Sequence, residues 1–178
     1  SCWRRSTSGT SISSAPKQYF LAGGRLVPYK RIDLAVKACS RLNAPLIVFG
    51  SGPEEKYLKK IAKDNVIFLG KISDAHKARL FSNCIAYINP QEEDFGITAI
   101  EAMASGRPVI AYKKGGALET IKAGETGEFF EEQIWEDLAD KLMRFDHTRY
   151  HPEAIRAHAL SFDTSVFKRR MEEFLKKI

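Results

Sequence analysis

Residues 85–112 read IAYINPQEEDFGITAIEAMASGRPVIAY, and this stretch decides the fold class. It begins and ends with short apolar runs, at 85–89 and 109–112, whose Ile, Val and Tyr residues are typical of strands. Between the runs, six of the eight residues at 97–104 are apolar, which predicts a helix with little exposed surface. Strands without polar alternation, joined by a helix, indicate parallel neighbours that are covered on both faces.

The same arrangement extends over most of the chain. Further strands are predicted at 19–22, 46–50, 66–70 and 127–130, and further helices at 32–42, 54–63, 75–82, 116–123 and 135–145. The fold class is therefore α/β: a doubly wound, Rossmann-like domain on a parallel six-stranded sheet with right-handed crossovers. In such a sheet, a ligand binds outside the carboxyl ends of the strands, where the strand order reverses.

The length and composition fit one globular domain. The chain has 178 residues, of which 44% are apolar and 28% charged, and no apolar run approaches the length of a transmembrane helix. We expect residues 1–18 to be a linker or leader and residues 19–178 to form the domain, closed by two helices after Pro152. Asp163 is the expected N-cap of the second closing helix. Its basic, amphipathic sequence leaves peripheral membrane association open beside packing on the domain.

Charge and cysteine content narrow the partners and the compartment. Six of the 28 Lys and Arg residues lie within 1–31, where there is no acid, and the remaining 22 are balanced by 22 acidic residues. A nucleic-acid binder spreads its basic residues over a face or stripe, so this clustering indicates a small anion and no nucleic acid. The three cysteines make no disulfide framework, and we expect Cys39 and Cys84 to be buried thiols in the reducing cytoplasm.

The segment after the first predicted strand carries two candidate ligands for a diphosphate. Gly24 lets the backbone turn tightly, and Arg25 and Lys30 follow within one short loop. An Arg fork and a Lys point charge suit phosphate oxygens, although two solvated surface cations would have the same sequence. Gly50 and Gly52 make a similar turn after the second strand, and that motif alone is more typical of a structural turn.

Two carboxylates surround the start of the helix that follows the fourth strand. Glu101 lies among apolar residues of that helix, where a buried carboxylate requires a hydrogen-bond partner, either a protein group or a ligand hydroxyl. Glu93 lies in the preceding loop, and the first helix amides, from Phe95 to Thr98, suit an anion. Because carboxylates accept from several hydroxyls, the combination indicates a ligand with hydroxyls and phosphates, namely a nucleotide sugar.

Five features occur together and in order. They are Gly24-Arg25-Leu26 with Lys30 and Asp33; Gly50-Ser51-Gly52-Pro53; the E-x7-E pair Glu93 and Glu101; the run from Glu101 through Ser105-Gly106-Arg107-Pro108-Val109; and Gly115-Gly116 with Glu119. Over about residues 19–145 the chain thereby resembles the C-terminal, donor-binding domain of a GT-B-fold retaining glycosyltransferase of family 4 (glycosyl transferases group 1). One motif alone is weak, but five in order are specific.

The resemblance implies a role for each matched residue. Arg25 and Lys30 would bind the donor diphosphate, and Glu101 would hydrogen-bond the ribose hydroxyls. Glu93 would contact hydroxyls of the transferred sugar, so that the catalytic residues would be Glu93, Arg25 and Lys30. The other expected donor contacts, largely through backbone groups, are Gly24, Gly50, Gly52, Lys71, Ile72, Phe95, Gly96, Ile97 and Thr98. The chain departs from the family at Asp94, where many members have Gly.

The resemblance also implies the reaction and the missing partner. It implies transfer of a sugar from a GDP- or UDP-sugar with retention of configuration, mannose being slightly favoured, and neither a cofactor nor an essential metal. The lack of a D-x-D pair agrees with the last point. An N-terminal domain would bind the acceptor, in the cytoplasm or at the inner face of the membrane. Two alternatives stay open: a non-catalytic nucleotide-sugar-binding module and a GT-B-like nucleotide-sugar epimerase.

Overall fold

The computed structural model describes residues 18–93 and 96–162. The strands in this part of the chain are β1 (Phe20–Gly23), β2 (Leu46–Phe49), β3 (Val66–Gly70), β4 (Ala86–Asn89), β5 (Val109–Tyr112) and β6 (Gly127–Phe130). The helices are α1 (Ile32–Leu42), α2 (Glu55–Ile61), α3 (Asp74–Asn83), α4 (Ile97–Ala104), α5 (Ala117–Thr120), α6 (Trp135–Arg144) and α7 (Pro152–Leu160).

The six strands form one all-parallel sheet in the order β3-β2-β1-β4-β5-β6. Phe20 of β1 lies opposite Leu46 of β2 on one side and Ala86 of β4 on the other. The strand order therefore reverses at β1, with β2 and β3 on one side and the three later strands on the other. This arrangement confirms the predicted doubly wound α/β fold and places the switch point between β1 and β4.

Alternate strand residues supply two apolar layers, one on each face of the sheet. Phe20 belongs to the layer that contains Leu138 of α6, whereas Leu21 belongs to the layer that contains Met103 of α4. Most residues of β1, β2, β4 and β5 are fully buried, as expected for strands with both faces covered. Charged side chains consequently gather where the strands end.

The predicted elements are confirmed with one clear difference, which is the length of α5. The sequence predicts a helix at 116–123, but α5 ends at Thr120. The backbone N–H of Lys122 donates to the hydroxyl of Thr126 at 2.9 Å, and the N–H of Gly124, which has a φ of +82°, donates to the carbonyl of Gly127 at 2.9 Å. This tight turn replaces the last part of the helix and leads directly into β6.

Other predictions about the chain have mixed outcomes. α7 lies where the first of the two expected closing helices is predicted, whereas Asp163, the expected second helix and residues 1–17 of the expected linker lie outside the described residues. Cys39 and Cys84 are buried free thiols as predicted, and burial raises the pKa of Cys84 to about 12. Within the two described segments, no helix is both long and apolar enough to cross a membrane.

We expect the substitution Leu138→Ala to destabilise the domain by about 2–5 kcal/mol, because it leaves a cavity in the layer between α6 and the sheet. Leu138 is fully buried, with 0% exposure. The matched control is Met143→Ala on the same helix, since Met143 is 65% exposed and its truncation should change stability by at most about 0.5 kcal/mol. Urea unfolding followed by circular dichroism measures both values, and equal midpoints for the two variants would contradict the packing described.

Candidate functional site

An open cleft of about 420 Å³ lies at the carboxyl ends of β1, β2 and β3. Its lining combines glycines with two cations: Gly24, Arg25, Gly50, Ser51, Gly52, Pro53 and Lys71. Five of the expected donor contacts are thus brought together on one wall. Ile72 is half-buried against the apolar layer that contains Leu21 and is not among the residues that line the cleft.

Close backbone packing explains the glycines after β1 and β2. A side chain at Gly50, which has a φ of +99°, would overlap the carbonyl group of Gly24, and one at Gly52 would overlap the carbonyl group of Leu26. The N–H of Leu26 donates to the carbonyl of Ser51 at 2.9 Å and joins the two loops. The Gly50–Gly52 turn therefore has a structural role, as its sequence alone indicates, and it also forms the wall of the cleft.

Lys30 lies at the end of a short 3-10 turn, and its ammonium group lies over Gly24. A Cβ atom at Gly24 would be 2.9 Å from Nζ of Lys30, so that glycine leaves room for the cation. Burial lowers the pKa of Lys30, the carboxylate of Glu93 opposes this shift, and the positive charges of Lys77 and Arg25 add to it. Lys30 is therefore part of one electrostatic cluster with these three side chains.

The adjacent cation, Arg31, is directed away from this cluster. Its Nε donates to Oδ1 of Asp33 at 3.1 Å, and this hydrogen bond raises the pKa of Arg31. Arg25, by contrast, is exposed on the cleft wall and has no side-chain partner among the described residues. Of the clustered cations, Arg25 is thus available to an anion in the cleft.

Both oxygens of Glu93 accept hydrogen bonds from amide side chains. Asn89 donates to Oε1 at 2.7 Å, and Gln91 donates to Oε2 at 2.6 Å. Burial raises the pKa of Glu93, and both the hydrogen bond from Asn89 and the charge of Lys30 oppose that rise. The carbonyl oxygen of Glu93 also accepts from the backbone N–H of Gly116 at 2.6 Å. The loop after β5 therefore supports Glu93 from behind.

Glu101, on α4, pairs with a lysine of α3. Nζ of Lys77 lies 2.8 Å from Oε2 of Glu101, and the side chains are 29% and 38% exposed. Glu101 is thus less buried than its apolar neighbours suggest, and its partner is a protein group. Tyr87 donates to the carbonyl of Gly23 at 3.2 Å, and burial, followed by the charges of Glu93 and Glu101, raises its pKa. This hydrogen bond attaches Tyr87 to the end of β1.

The start of α4 lies against Glu93. Gly96 is the buried N-cap residue, and a Cβ atom there would be 2.7 Å from Oε1 of Glu93. Ile97 and Thr98 form the first turn and are half-buried. Phe95, the remaining expected contact, lies outside the described residues.

Sequence reasoning missed three polar groups of the site: Lys77, Asn89 and Gln91. Lys77 lies within a helix of ordinary polar composition, and Asn89 ends a strand, so neither position carries a motif. Only the short spacing between Gln91 and Glu93 could have pointed to a contact. Within the described part of the chain, no group of three or more His, Cys, Asp or Glu side chains is placed to hold a metal ion.

Comparisons with known proteins match this geometry to a family. Residues 10–161 match the family described as glycosyl transferases group 1. The alpha-1,3/1,6-mannosyltransferase of Dictyostelium discoideum is 35% identical over 139 residues, covering 62% of this chain and 33% of that protein. The GDP-mannose-dependent alpha-mannosyltransferase of Corynebacterium glutamicum is 32% identical over 105 residues, covering 58% of this chain and 25% of that protein.

A solved structure shows the same fold. HepE of Anabaena, in complex with UDP and glucose, superposes with a TM-score of 0.71 at 23% identity, covering 92% of this chain and 50% of that chain. The match thus spans half of this neighbour and a quarter to a third of the two mannosyltransferases. With the family match over most of its length and the Rossmann-like sheet of the GT-B fold, the chain belongs to the glycosyl transferases group 1.

Proposed function

We propose that this chain is the donor-binding domain of a retaining glycosyltransferase, and that it binds a nucleoside diphosphate sugar at the carboxyl edge of the sheet, with the nucleotide in the cleft beside β1, β2 and β3. One observation carries the proposal: at the carboxyl edge of the sheet, Nζ of Lys30 lies over Gly24 beside the cleft residue Arg25, and the charge of Glu93 acts on Lys30. Cations suit a diphosphate, and carboxylates suit sugar hydroxyls, so the cluster fits a ligand that has both.

The donor in this proposal is a GDP- or UDP-sugar, and mannose is the first sugar to test. Mannose is supported by the names of the Dictyostelium and Corynebacterium relatives, and the second name includes GDP-mannose. UDP is supported by the complex of HepE, which shares the fold. The base would lie beside the glycine wall near Lys71, and Glu101 would accept from the ribose.

The chemistry of this proposal is electrostatic. Glycosyl transfer, like glycoside hydrolysis, is expected to pass through an oxocarbenium-like transition state, and negative charge builds on the departing diphosphate. Arg25 and Lys30 would stabilise that charge together with the amides at the start of α4. Glu93 would hold the transferred sugar through its hydroxyls. No proton transfer is assigned to Arg25 or Lys30.

The acceptor would be bound outside these residues, by an N-terminal domain of the whole protein. The relatives leave room for such a domain, because the matched segments cover 33% and 25% of the two mannosyltransferases. The proposal places the enzyme in the cytoplasm or at the inner face of the membrane. The buried free thiols Cys39 and Cys84 suit a reducing compartment.

Substitution of either Arg25 or Lys30 should weaken binding of the donor diphosphate. We expect Arg25→Ala and Lys30→Ala each to reduce the affinity for GDP or UDP by about 1–3 kcal/mol, as for the loss of a charge-assisted hydrogen bond. Calorimetric titration with GDP, UDP and ADP measures the affinities and identifies the base. Arg31→Ala is the control, because Arg31 pairs with Asp33, and its affinity should be unchanged. Unchanged affinity in both Arg25→Ala and Lys30→Ala would refute the assignment of these residues to the phosphates.

Recognition of the sugar should depend on ionisation of Glu93. Because burial raises the pKa of Glu93, we expect the preference for a nucleotide sugar over its free nucleotide to be lost at a higher pH than for an ordinary carboxylate. The preference is present above this pKa and falls as the carboxylate is protonated. Asn89→Ala removes a hydrogen bond to the charged form and should move the midpoint to still higher pH.

The control for this titration is Asn83→Ala, since Asn83 is exposed and donates to the carbonyl of Arg79 on its own helix. Affinities for the nucleotide sugar and the nucleotide, measured from neutral pH into the acid range, give both midpoints. A preference that is independent of pH, or an identical midpoint for Asn89→Ala and wild type, would contradict the assigned role of Glu93.

The 178-residue chain by itself should bind the donor and transfer no sugar, because the acceptor-binding groups belong to the proposed N-terminal domain. A radiolabelled donor with an acceptor mixture measures transfer, and calorimetry of the same sample confirms that the domain is competent to bind. Glycosylated acceptor would overturn this expectation. Epimerised or hydrolysed donor without any glycosylated acceptor would favour the epimerase alternative.

A further inference from the structure

Lys77 occupies a defined position beside the proposed site, although no cleft residue touches it directly. Its helix begins at Ser73, whose hydroxyl accepts from the N–H of His76 at 3.1 Å. The ammonium group of Lys77 lies 6.0 Å from the ring centres of both Phe49 and Phe81. Two aromatic faces and the carboxylate of Glu101 therefore hold a half-buried cation in place, which an ordinary solvated ion pair does not achieve.

The pairing leaves Glu101 with acceptor capacity. Lys77 contacts only Oε2, at 2.8 Å, and Oε1 of Glu101 has no hydrogen-bond partner among the described residues. An ionised carboxylate can accept about four hydrogen bonds, so a pair of vicinal hydroxyls can still be accommodated. The contact with Lys77 restrains the orientation of the carboxylate and leaves Oε1 able to accept hydrogen bonds.

Charge gives Lys77 a second effect. A diphosphate bound by Arg25 and Lys30 would be repelled by a nearby unpaired carboxylate. Lys77 lies close enough to Lys30 to lower the pKa of that ammonium group, so the two cations interact electrostatically. By neutralising Glu101, Lys77 allows a hydroxyl-binding carboxylate to remain beside a phosphate-binding cluster.

We infer that Lys77 is a positioning residue for the nucleotide: it holds and neutralises Glu101 so that this carboxylate binds the ribose hydroxyls of a nucleoside diphosphate. The inference rests on the proposed function, since it takes Glu101 as the ribose ligand. Lys77 acts here through Glu101 and makes no contact of its own with the nucleotide. Its main effect should consequently be on the ribose, with a smaller effect on the diphosphate through the charge of Glu101.

The experiment compares GDP and UDP with their 2′,3′-dideoxy analogues by calorimetry. We expect wild type to prefer the ribonucleotide by about 10- to 100-fold, the range for hydrogen bonds to a charged group. Glu101→Gln should reduce this ratio strongly. Lys77→Met, which keeps the stem over the two rings, should reduce it to below about threefold, with a smaller loss of affinity for the dideoxy analogue because the unpaired carboxylate repels the diphosphate.

Lys59→Met is the matched control. Lys59 also pairs with a glutamate, Glu55, at 3.0 Å, and its ammonium group also lies 6.0 Å from a ring centre, that of Phe68. Loss of this second ion pair should leave the ratio at the wild-type value. Thermal melting establishes that each variant is folded. Lys77→Gln, which keeps a donor without the charge, is measured as well and should give an intermediate ratio.

The outcomes separate the inference from the proposed function. If Glu101→Gln abolishes the ratio and Lys77→Met preserves it, the positioning role is refuted while the ribose assignment stands. Equal weakening of both nucleotides in Lys77→Met would mean that Lys77 acts on the diphosphate, which also refutes the inference. A wild-type ratio in Glu101→Gln, or no binding of either nucleotide to wild type, would overturn the proposed function and the inference together.

Discussion

The reversal of strand order at β1 is the constraint on which the candidate site depends. β1 and β4 are neighbours in the sheet, although β2 and β3 separate them in the chain, and the loops that follow them diverge. The crevice between these loops brings Lys30, from the first loop, into one charged cluster with Glu93, from the second. Because both sheet faces are covered by helices, the strand ends are where such charges can be solvated or bound.

Burial in that crevice works against both signs of charge. It lowers the pKa of Lys30 and raises the pKa of Glu93, each toward its neutral form; the hydrogen bond from Asn89 opposes the shift of Glu93, and the attraction between Lys30 and Glu93 opposes both shifts. Arg25 and Lys77 further disfavour the charge on Lys30. An anion between Arg25 and Lys30 would offset that repulsion. A strongly charged ligand in the crevice would therefore offset the electrostatic cost of placing these cations close together.

Sequence periodicity predicts the sheet because short apolar runs separated by helices are compatible with few other folds. The predicted length of α5 is too great because the turn around Gly124 has no distinctive apolar pattern. The candidate site was predictable where a side chain directly follows a strand, as for Glu93. Lys77 could not be predicted, since a lysine within a polar helix is usually solvated and only tertiary packing brings it to Glu101. The role of Asn89 could not be predicted either, because in the sequence the last residue of a strand resembles any other strand residue.

Protein donors hold the two carboxylates in a similar manner. Each oxygen of Glu93 accepts one hydrogen bond, from Asn89 or from Gln91, and one oxygen of Glu101 contacts Lys77. Because a carboxylate can accept about four hydrogen bonds, each glutamate can accept more. A free glutamate would lose rotamer entropy on binding, a cost of about 0.5–1.5 kcal/mol for each immobilised side chain. The contacts with Asn89, Gln91 and Lys77 already restrain the two glutamate side chains in the free protein. The hydrogen bonds that partly satisfy these carboxylates are therefore compatible with binding and reduce what a ligand must supply.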